Sequence, residues 1–390
     1  MEITKDIIFV GVNDHDVDLF EGHYIVPEGM AYNSYLINDE KVAIMDTVDA
    51  HFTEEWIGNI KAALGERTPD YLVVQHMEPD HSGSIRDFME AFPAATIVSS
   101  VKAFGMMRNF YEGEEFAERR IPVKEGDTLE LGSHVLNFVA APMVHWPEVI
   151  MTYDSTDRVL FSADGFGKFG AHDLADPDDW ACEARRYYFG IVGKYGMQVQ
   201  AVLKKAAGLD IQIICPLHGP VLDKDLGYYL GLYNTWSSYA AESRGVVISY
   251  TSVYGNTKKA VELLAAKLEE KGVPEVVVND LARSDIAECV EDGFRYDAQV
   301  FATTTFNNDI FPFMKEYINH LTERNYQKRT VAFVENGSWA PQATKTMKGM
   351  LEGCKNLTYA DNGVRIVSAL NDESRAQIEA LAEELAALYK

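Results

Sequence analysis

The chain has 390 residues, more than one ordinary domain needs, and two domains is the natural reading. Its 47% apolar and 24% charged residues are a globular composition, while a formal charge of −25 argues against nucleic acid and anionic membrane surfaces. No apolar stretch approaches the length of a spanning helix. The start Met1-Glu2-Ile3-Thr4-Lys5-Asp6 lacks a basic region followed by an apolar one, so secretion is unsupported. Cys182, Cys215, Cys289 and Cys354 are far apart and form no CxxC pair, which fits a reducing cytoplasm and excludes a cysteine-ligated iron module within the chain.

Up to about Tyr239–Gly245 the pattern is of short β-rich runs between irregular loops: Val42–Asp46, Leu72–Gln75, Thr96–Ser99, Val135–Ala140, Val159–Ala163 and Ile211–Cys215. Beyond it strand and helix alternate. Gly245–Tyr250, Glu275–Asn279, Ala298–Thr303, Thr330–Glu335 and Val364–Ala369 read as strands, with helices at Lys258–Lys271, Glu373–Leu388 and between the remaining runs. Five strands interleaved with helices describe a small doubly wound parallel sheet. The seam lies around Ser237–Arg244, giving domains 1–242 and 243–390. There is no internal repeat or low-complexity tract.

The first half concentrates possible metal ligands at strand ends. His76-Met77-Glu78-Pro79-Asp80-His81 follows the run Tyr71–Gln75 and packs four donors into six residues. His145 follows Val135–Ala140, Asp164 follows Val159–Ala163, and His218 follows Ile211–Cys215, each beside Gly or Pro. A single histidine in such a loop is more often a satisfied loop residue than a ligand. Four strand ends of the same character shift the balance toward a site of imidazole and carboxylate, the donors that borderline to hard transition metals select.

The second half carries an anion cradle. Strand Gly245–Tyr250 runs into Thr251-Ser252-Val253-Tyr254-Gly255-Asn256-Thr257 and then a helix, so hydroxyls, a permissive glycine and helix N–H groups meet in one loop. No Gly-Lys-Ser/Thr follows, and a single phosphate suits it better than a triphosphate; the bland alternative is an ordinary Ser/Thr-capped helix start. Two later strand ends, Thr304-Thr305-Phe306-Asn307-Asn308 and Asn336-Gly337-Ser338-Trp339-Ala340, fall where ligands bind in an open parallel sheet, with Trp339 or Phe306 available to flank an aromatic ring. This half resembles a flavodoxin domain binding FMN.

The order His-x-Glu-x-Asp-His, then His, Asp and His at long intervals, resembles the metallo-β-lactamase superfamily. That resemblance implies an αββα sandwich with a binuclear site at one edge, and gives Asp46 a supporting place rather than a metal. Zinc hydrolases of the superfamily normally carry His where this chain has Glu78. With Asp80 and Asp164 it makes three carboxylates, about three negative charges against roughly four to six positive ones on two irons, a harder site that favours iron over zinc.

Together the halves resemble the flavodiiron proteins, over essentially the whole chain. The resemblance implies one iron on His76, Glu78 and His145, a second on Asp80, His81 and His218, and Asp164 bridging them. It also implies His23 and Tyr195 (or Tyr188) near the open positions, and FMN relaying electrons for reduction of O2 to water or NO to N2O. The expected partners are an external donor, rubredoxin or a reduced deazaflavin, and a second copy in a head-to-tail dimer or dimer of dimers. Two rivals are a zinc-dependent hydrolase with a regulatory flavodoxin domain, and an electron-transfer flavoprotein that makes no use of its metal site.

Overall fold

A computed structural model describes residues 1–111, 116–174 and 179–390. They form two compact units, Met1–Asn234 and Thr235–Lys390.

In the first unit a six-stranded sheet runs in the order Ile7–Phe9, Tyr35–Asn38, Val42–Met45, Tyr71–Val73, Thr96–Ser100, Arg120–Val123. A second sheet of five runs Thr128–Glu130, Val135–Ala140, Ile150–Asp154, Val159–Phe161, Ile213–Cys215. Ile37, Ala43, Met45, Val73 and Val98 from the first sheet share a core with Leu136, Phe138, Ile150, Val159 and Cys215 from the second. This is the sandwich that the resemblance to the metallo-β-lactamase superfamily implies. Val42–Met45 is buried at all four positions, since its outer face is covered too, and a strand covered on both faces reads as a continuous apolar run. Helix Thr53–Leu64 turns Trp56, Ile60 and Leu64, a spacing of four, inward.

Strand direction decides where the loops fall. Val42–Met45, Tyr71–Val73 and Thr96–Ser100 are mutually parallel, as are Val159–Phe161 and Ile213–Cys215. Val135–Ala140 and Val159–Phe161 each pair antiparallel with Ile150–Asp154, so those two also run alike. Within each sheet the strands that precede candidate ligands therefore finish at a common edge.

In the second unit five parallel strands lie in the order Val276–Asp280, Ser243–Tyr250, Tyr296–Phe306, Thr330–Asn336, Val364–Ile366. The fifth position is divided: Thr358–Tyr359 pairs with the start of Thr330–Asn336 and Val364–Ile366 with its end. Asp309–Ile310 folds back antiparallel on Thr305–Phe306. Helices Asn256–Glu270 and Asp372–Ala387 cover one face, packing Val261, Leu264, Leu381 and Leu385 on Ile248, Val300 and Val334. On the other face helix Pro312–Glu323 sets Tyr317 against Phe301, its hydroxyl donating to Gln299 Oε1 at 2.9 Å. Among the described residues no helix is long and apolar enough to cross a membrane.

Candidate metal centre and flavin loops

At the sandwich edge seven side chains converge in two sets, His76, Glu78, His145 and Asp164 in one, and Asp80, His81 and His218 in the other. In the first, His145 Nε2 lies 3.0 Å from both Glu78 Oε2 and Asp164 Oδ2, and His76 Nε2 lies 3.2 Å from the same two oxygens. In the second, His81 Nε2 and His218 Nε2 are 3.0 Å apart, each 3.3 Å from Asp80 Oδ2. Asp164 belongs to both, because its Oδ1 lies 3.3 Å from His81 Nε2 while its Oδ2 serves the first set.

Local chemistry holds these side chains in place. Asp46, at φ 56°, accepts Gln75 N at 2.7 Å and His76 N at 3.3 Å on Oδ1, and so pins the strand end that carries the His76 motif. Pro79 opens the one-turn helix Pro79–Ser82, which presents Asp80 and His81 together; Thr47 Oγ1 donates to His81 O at 2.7 Å. Asn33 Nδ2 donates to Pro216 O and Gly219 O, and Tyr35 Oη to Pro216 O at 2.6 Å, fixing the His218 loop.

The electrostatics are those of a cation cage. Burial pushes the His145 imidazole down, but Asp164 and Glu78 outweigh it and bring it up to about 9. Burial likewise opposes the charged form of His76, yet Asp164, Glu148 and Glu78 hold it well above the ordinary imidazole range. Burial raises the carboxyls of Asp164 and Glu78, and the neighbouring imidazoles more than reverse that, leaving both low. Both oxygens of Asp80 and both of Asp164 are buried with no hydrogen-bond partner. Such atoms are costly unless a cation meets them. Imidazole and carboxylate without thiolate fit iron, and metal ions would displace the protons that the histidines otherwise hold.

The structure adds residues that the sequence did not single out. Glu148 Oε1 accepts His76 Nδ1 at 2.8 Å and Met77 N at 2.9 Å. Tyr187, on helix Trp180–Tyr187, has its ring centroid 5.5 Å from that of His218, and burial first, then Asp164, Glu78 and Asp80, pushes its hydroxyl well up. Glu21, at φ 48° between the strands Leu19–Phe20 and Tyr24–Ile25, turns its carboxyl to Glu78; burial and then Glu78 push it up to about 7. His23 is exposed two residues on, its Nδ1 3.3 Å from Glu21 O and its ring 4.0 Å from that of Tyr24. Tyr195 ends the short turn Gly193–Tyr195 and is half-buried, while Tyr188 is buried against Phe189 and Tyr233. A helix-borne tyrosine shows no strand-end signature, so only its place on the fold marks Tyr187.

In the second unit Gly255 has φ 86° and caps helix Asn256–Glu270, a left-handed position that favours glycine. Ser252 Oγ accepts Gly255 N at 3.1 Å and Lys258 N at 3.2 Å, closing Thr251–Thr257 into a compact turn over the helix N-terminus. Thr251 Oγ1 and Thr303 Oγ1 are 2.6 Å apart, and Asn336 Nδ2 donates to Thr257 Oγ1 at 3.3 Å, so the three strand-end loops are tied together. Thr304 Oγ1 donates to Asn336 O at 3.2 Å. Thr305, Asn307, Asn308 and Gly337–Ala340 line a cavity of about 150 Å³. Trp339 is 83% exposed and Tyr254 92%, with Val253 and Phe306 also open to solvent. Asn336 Oδ1 is buried without a partner. Flat rings at the rim and an unsatisfied amide beneath fit a planar heteroaromatic ligand, and the helix N-terminus fits its phosphate.

Comparison with known proteins agrees with both halves. A family model described as ODP family beta lactamase matches residues 30–219. The chain is 30% identical to the anaerobic nitric oxide reductase flavorubredoxin of Salmonella arizonae, over 97% of this chain and 79% of that protein. Among solved structures it is similar to rubredoxin oxygen:oxidoreductase from Desulfovibrio gigas, with a TM-score of 0.92, 25% identity, and 100% and 98% of the two chains covered. It is equally similar to the flavodiiron protein from Giardia intestinalis, with a TM-score of 0.92, 26% identity, and coverage of 100% and 97%. A lactamase-type sandwich with a two-part ligand cage, followed in sequence by a flavodoxin-like unit, defines a class of oxidoreductase. The chain belongs to the flavodiiron protein family.

Proposed function

We propose that the protein reduces O2 to water, NO to N2O, or both, at a non-haem iron pair fed through FMN. The observation that carries this is the sharing of Asp164, whose two oxygens face opposite ligand sets. In this reading His76, Glu78 and His145 hold one iron, Asp80, His81 and His218 the other, and Asp164 joins them. The loop Thr251–Thr257 takes the FMN phosphate, while Thr304–Asn308 and Asn336–Ala340 take the ring. When bound, the irons supply electrons and open coordination positions to a diatomic substrate, and FMN supplies the one-electron relay.

The chain's own side chains then do three things. The buried cage keeps bulk water from the ligands, and Asp46, Asn33, Tyr35 and Thr47 fix their positions through backbone contacts. Glu21, pushed up to about 7, can hold a proton beside Glu78, and the Tyr187 hydroxyl, pushed well up, keeps its proton near Asp164. His23 and Tyr195 belong to the proposal as further groups near the open face. A zinc hydrolase is not favoured, because Glu78 hardens the cage and the relatives above are reductases.

The finer parts of the proposal are an external donor, rubredoxin or a reduced deazaflavin, a head-to-tail homodimer or dimer of dimers, and a cytoplasmic location. The functional domains are 1–242 and 243–390, the second opening on the strand Ser243–Tyr250. Anaerobic holoprotein supplied with reduced rubredoxin tests the activity directly. Consumption of O2 without peroxide release, or of NO with N2O formed at one per two NO, is expected; inertness toward both gases contradicts the proposal.

A further inference from the structure

The two ligand sets are matched in kind. Each offers two imidazoles and one carboxylate of its own, His76, His145 and Glu78 against His81, His218 and Asp80, and Asp164 is shared. Ligand type alone therefore does little to distinguish the positions, and the groups behind the ligands do more. There the structure is uneven. His76 turns Nε2 into the cage, so its Nδ1 carries the proton that Glu148 Oε1 accepts at 2.8 Å, and both side chains are wholly closed to solvent. His218 Nδ1 is backed by a neutral carbonyl, Ala31 O at 2.8 Å. His81 Nδ1 is buried with no hydrogen-bond partner. Glu148 is itself anchored: its Oε1 also accepts Met77 N at 2.9 Å, and Ser100 Oγ donates to its carbonyl at 2.9 Å.

A carboxylate behind an imidazole raises the basicity of the nitrogen that faces the metal, and such partners are worth about 10–100-fold in metal affinity. Neither a carbonyl nor a missing partner does as much, and low dielectric enlarges the difference. We propose that Glu148 is a positioning residue that makes the His76–Glu78–His145 position the tighter of the two, so that it fills first and empties last. This rests on the two-metal reading above. It adds an order of occupancy that ligand types alone do not give.

The test is equilibrium competition between anaerobic holoprotein and a graded ferrous chelator, on wild type, E148Q and E148D. Wild type is expected to release iron in two steps separated by about 10–100-fold in chelator. In E148Q the amide oxygen can accept the same two N–H groups while the carboxylate is gone, so packing is preserved. The tighter step should weaken by about 10–100-fold and the weaker step should stay, whereas E148D should recover part of the separation. A single step for both irons in wild type overturns the proposal whatever the variants do. So does an E148Q profile identical to wild type, or one in which both steps weaken equally. Wild-type protein holding fewer than two irons would instead count against the two-metal reading itself.

Discussion

Asp164 turns Oδ2 to His145 at 3.0 Å and keeps Oδ1 for the opposite half of the cage, where His81 lies 3.3 Å away. One buried carboxylate thus answers to two sets of imidazoles, and neither oxygen has a hydrogen-bond donor of its own. Replacing it with an amide should uncouple the halves. Asp164→Asn is expected to lose at least one metal per chain and to lower reductase turnover by more than ~100-fold, beyond the loss typical of an outer partner. Metal analysis beside gas consumption checks both; full loading with undiminished turnover would remove Asp164 from the bridging place.

Glu78 tests the hardness argument. Its Oε2 reaches both His76 and His145, and the imidazoles hold its carboxyl below the ordinary range against the effect of burial. Glu78→His replaces an anion with a neutral, softer donor. Zinc should displace iron in protein grown with both metals, and reductase turnover should fall by roughly 10–100-fold. Unchanged iron loading and rate would mean that the extra carboxylate does not select the metal.

Gly255 and Thr257 test the phosphate loop. A valine at 255 must hold φ near 86°, which costs about 1–3 kcal/mol in backbone strain. Thr257→Val removes the hydroxyl that accepts Asn336 Nδ2. Both variants should come through purification with less flavin per chain, read from the ratio of visible to ultraviolet absorbance. Wild-type flavin content in both would place the phosphate elsewhere.

The convergence of the candidate ligands is legible in the sequence. Parallel strands finish at one edge, so a His, Asp or Glu just past each buried run marks a common site, and that grammar covers His76, His145, Asp164 and His218. It fails for Tyr187, which approaches from a helix, and for Glu21, whose left-handed turn between two-residue strands leaves no periodic trace. Glu148 lies three residues past His145 and reads as an ordinary loop acid until its contact with His76 is seen. The expected fifth strand of the second unit, Val364–Ala369, pairs only over Val364–Ile366, and the two-residue strand Thr358–Tyr359 beside the start of Thr330–Asn336 has too short a run to show in the sequence.

Tyr187 and Tyr195 can be separated by experiment. Tyr187 contacts the His218 ring and feels Asp164, Glu78 and Asp80, whereas Tyr195 lies on the turn Gly193–Tyr195. Tyr187→Phe should keep both metals and lower turnover by about 100-fold or more, as for loss of a proton-donating group. Tyr195→Phe should cost less. The reverse order, measured as O2 or NO consumption per iron pair, would return the open-face role to Tyr195.

Far from the cage, at the opposite ends of the sandwich strands, His134 gives a pH-dependent clasp. Its Nδ1 lies 2.9 Å from Asp154 Oδ2 and its Nε2 3.7 Å from Asp6 Oδ2, while its backbone N–H donates to Asp39 Oδ2 at 2.6 Å. The hydrogen bond to Asp154, against burial and helped by the charges of Asp154, Asp157 and Asp39, raises the imidazole from 6.5 to about 9. A group raised on folding adds stability that is fully present below its unfolded value and is lost as pH rises through the folded one. His134→Gln should therefore lower Tm by roughly 3–6 °C at pH 6, and the gap should close between pH 6.5 and about 9. A gap independent of pH would make His134 a packing residue only.

The central claim is an iron pair and a flavin on one chain, and the most direct measurement is the metal and flavin content of anaerobically purified protein, by elemental analysis and absorbance. Two irons and one FMN per chain are expected. Two zincs in place of iron, or flavin with no metal at all, would contradict it and return the sandwich to a hydrolase or to a scaffold without metal chemistry.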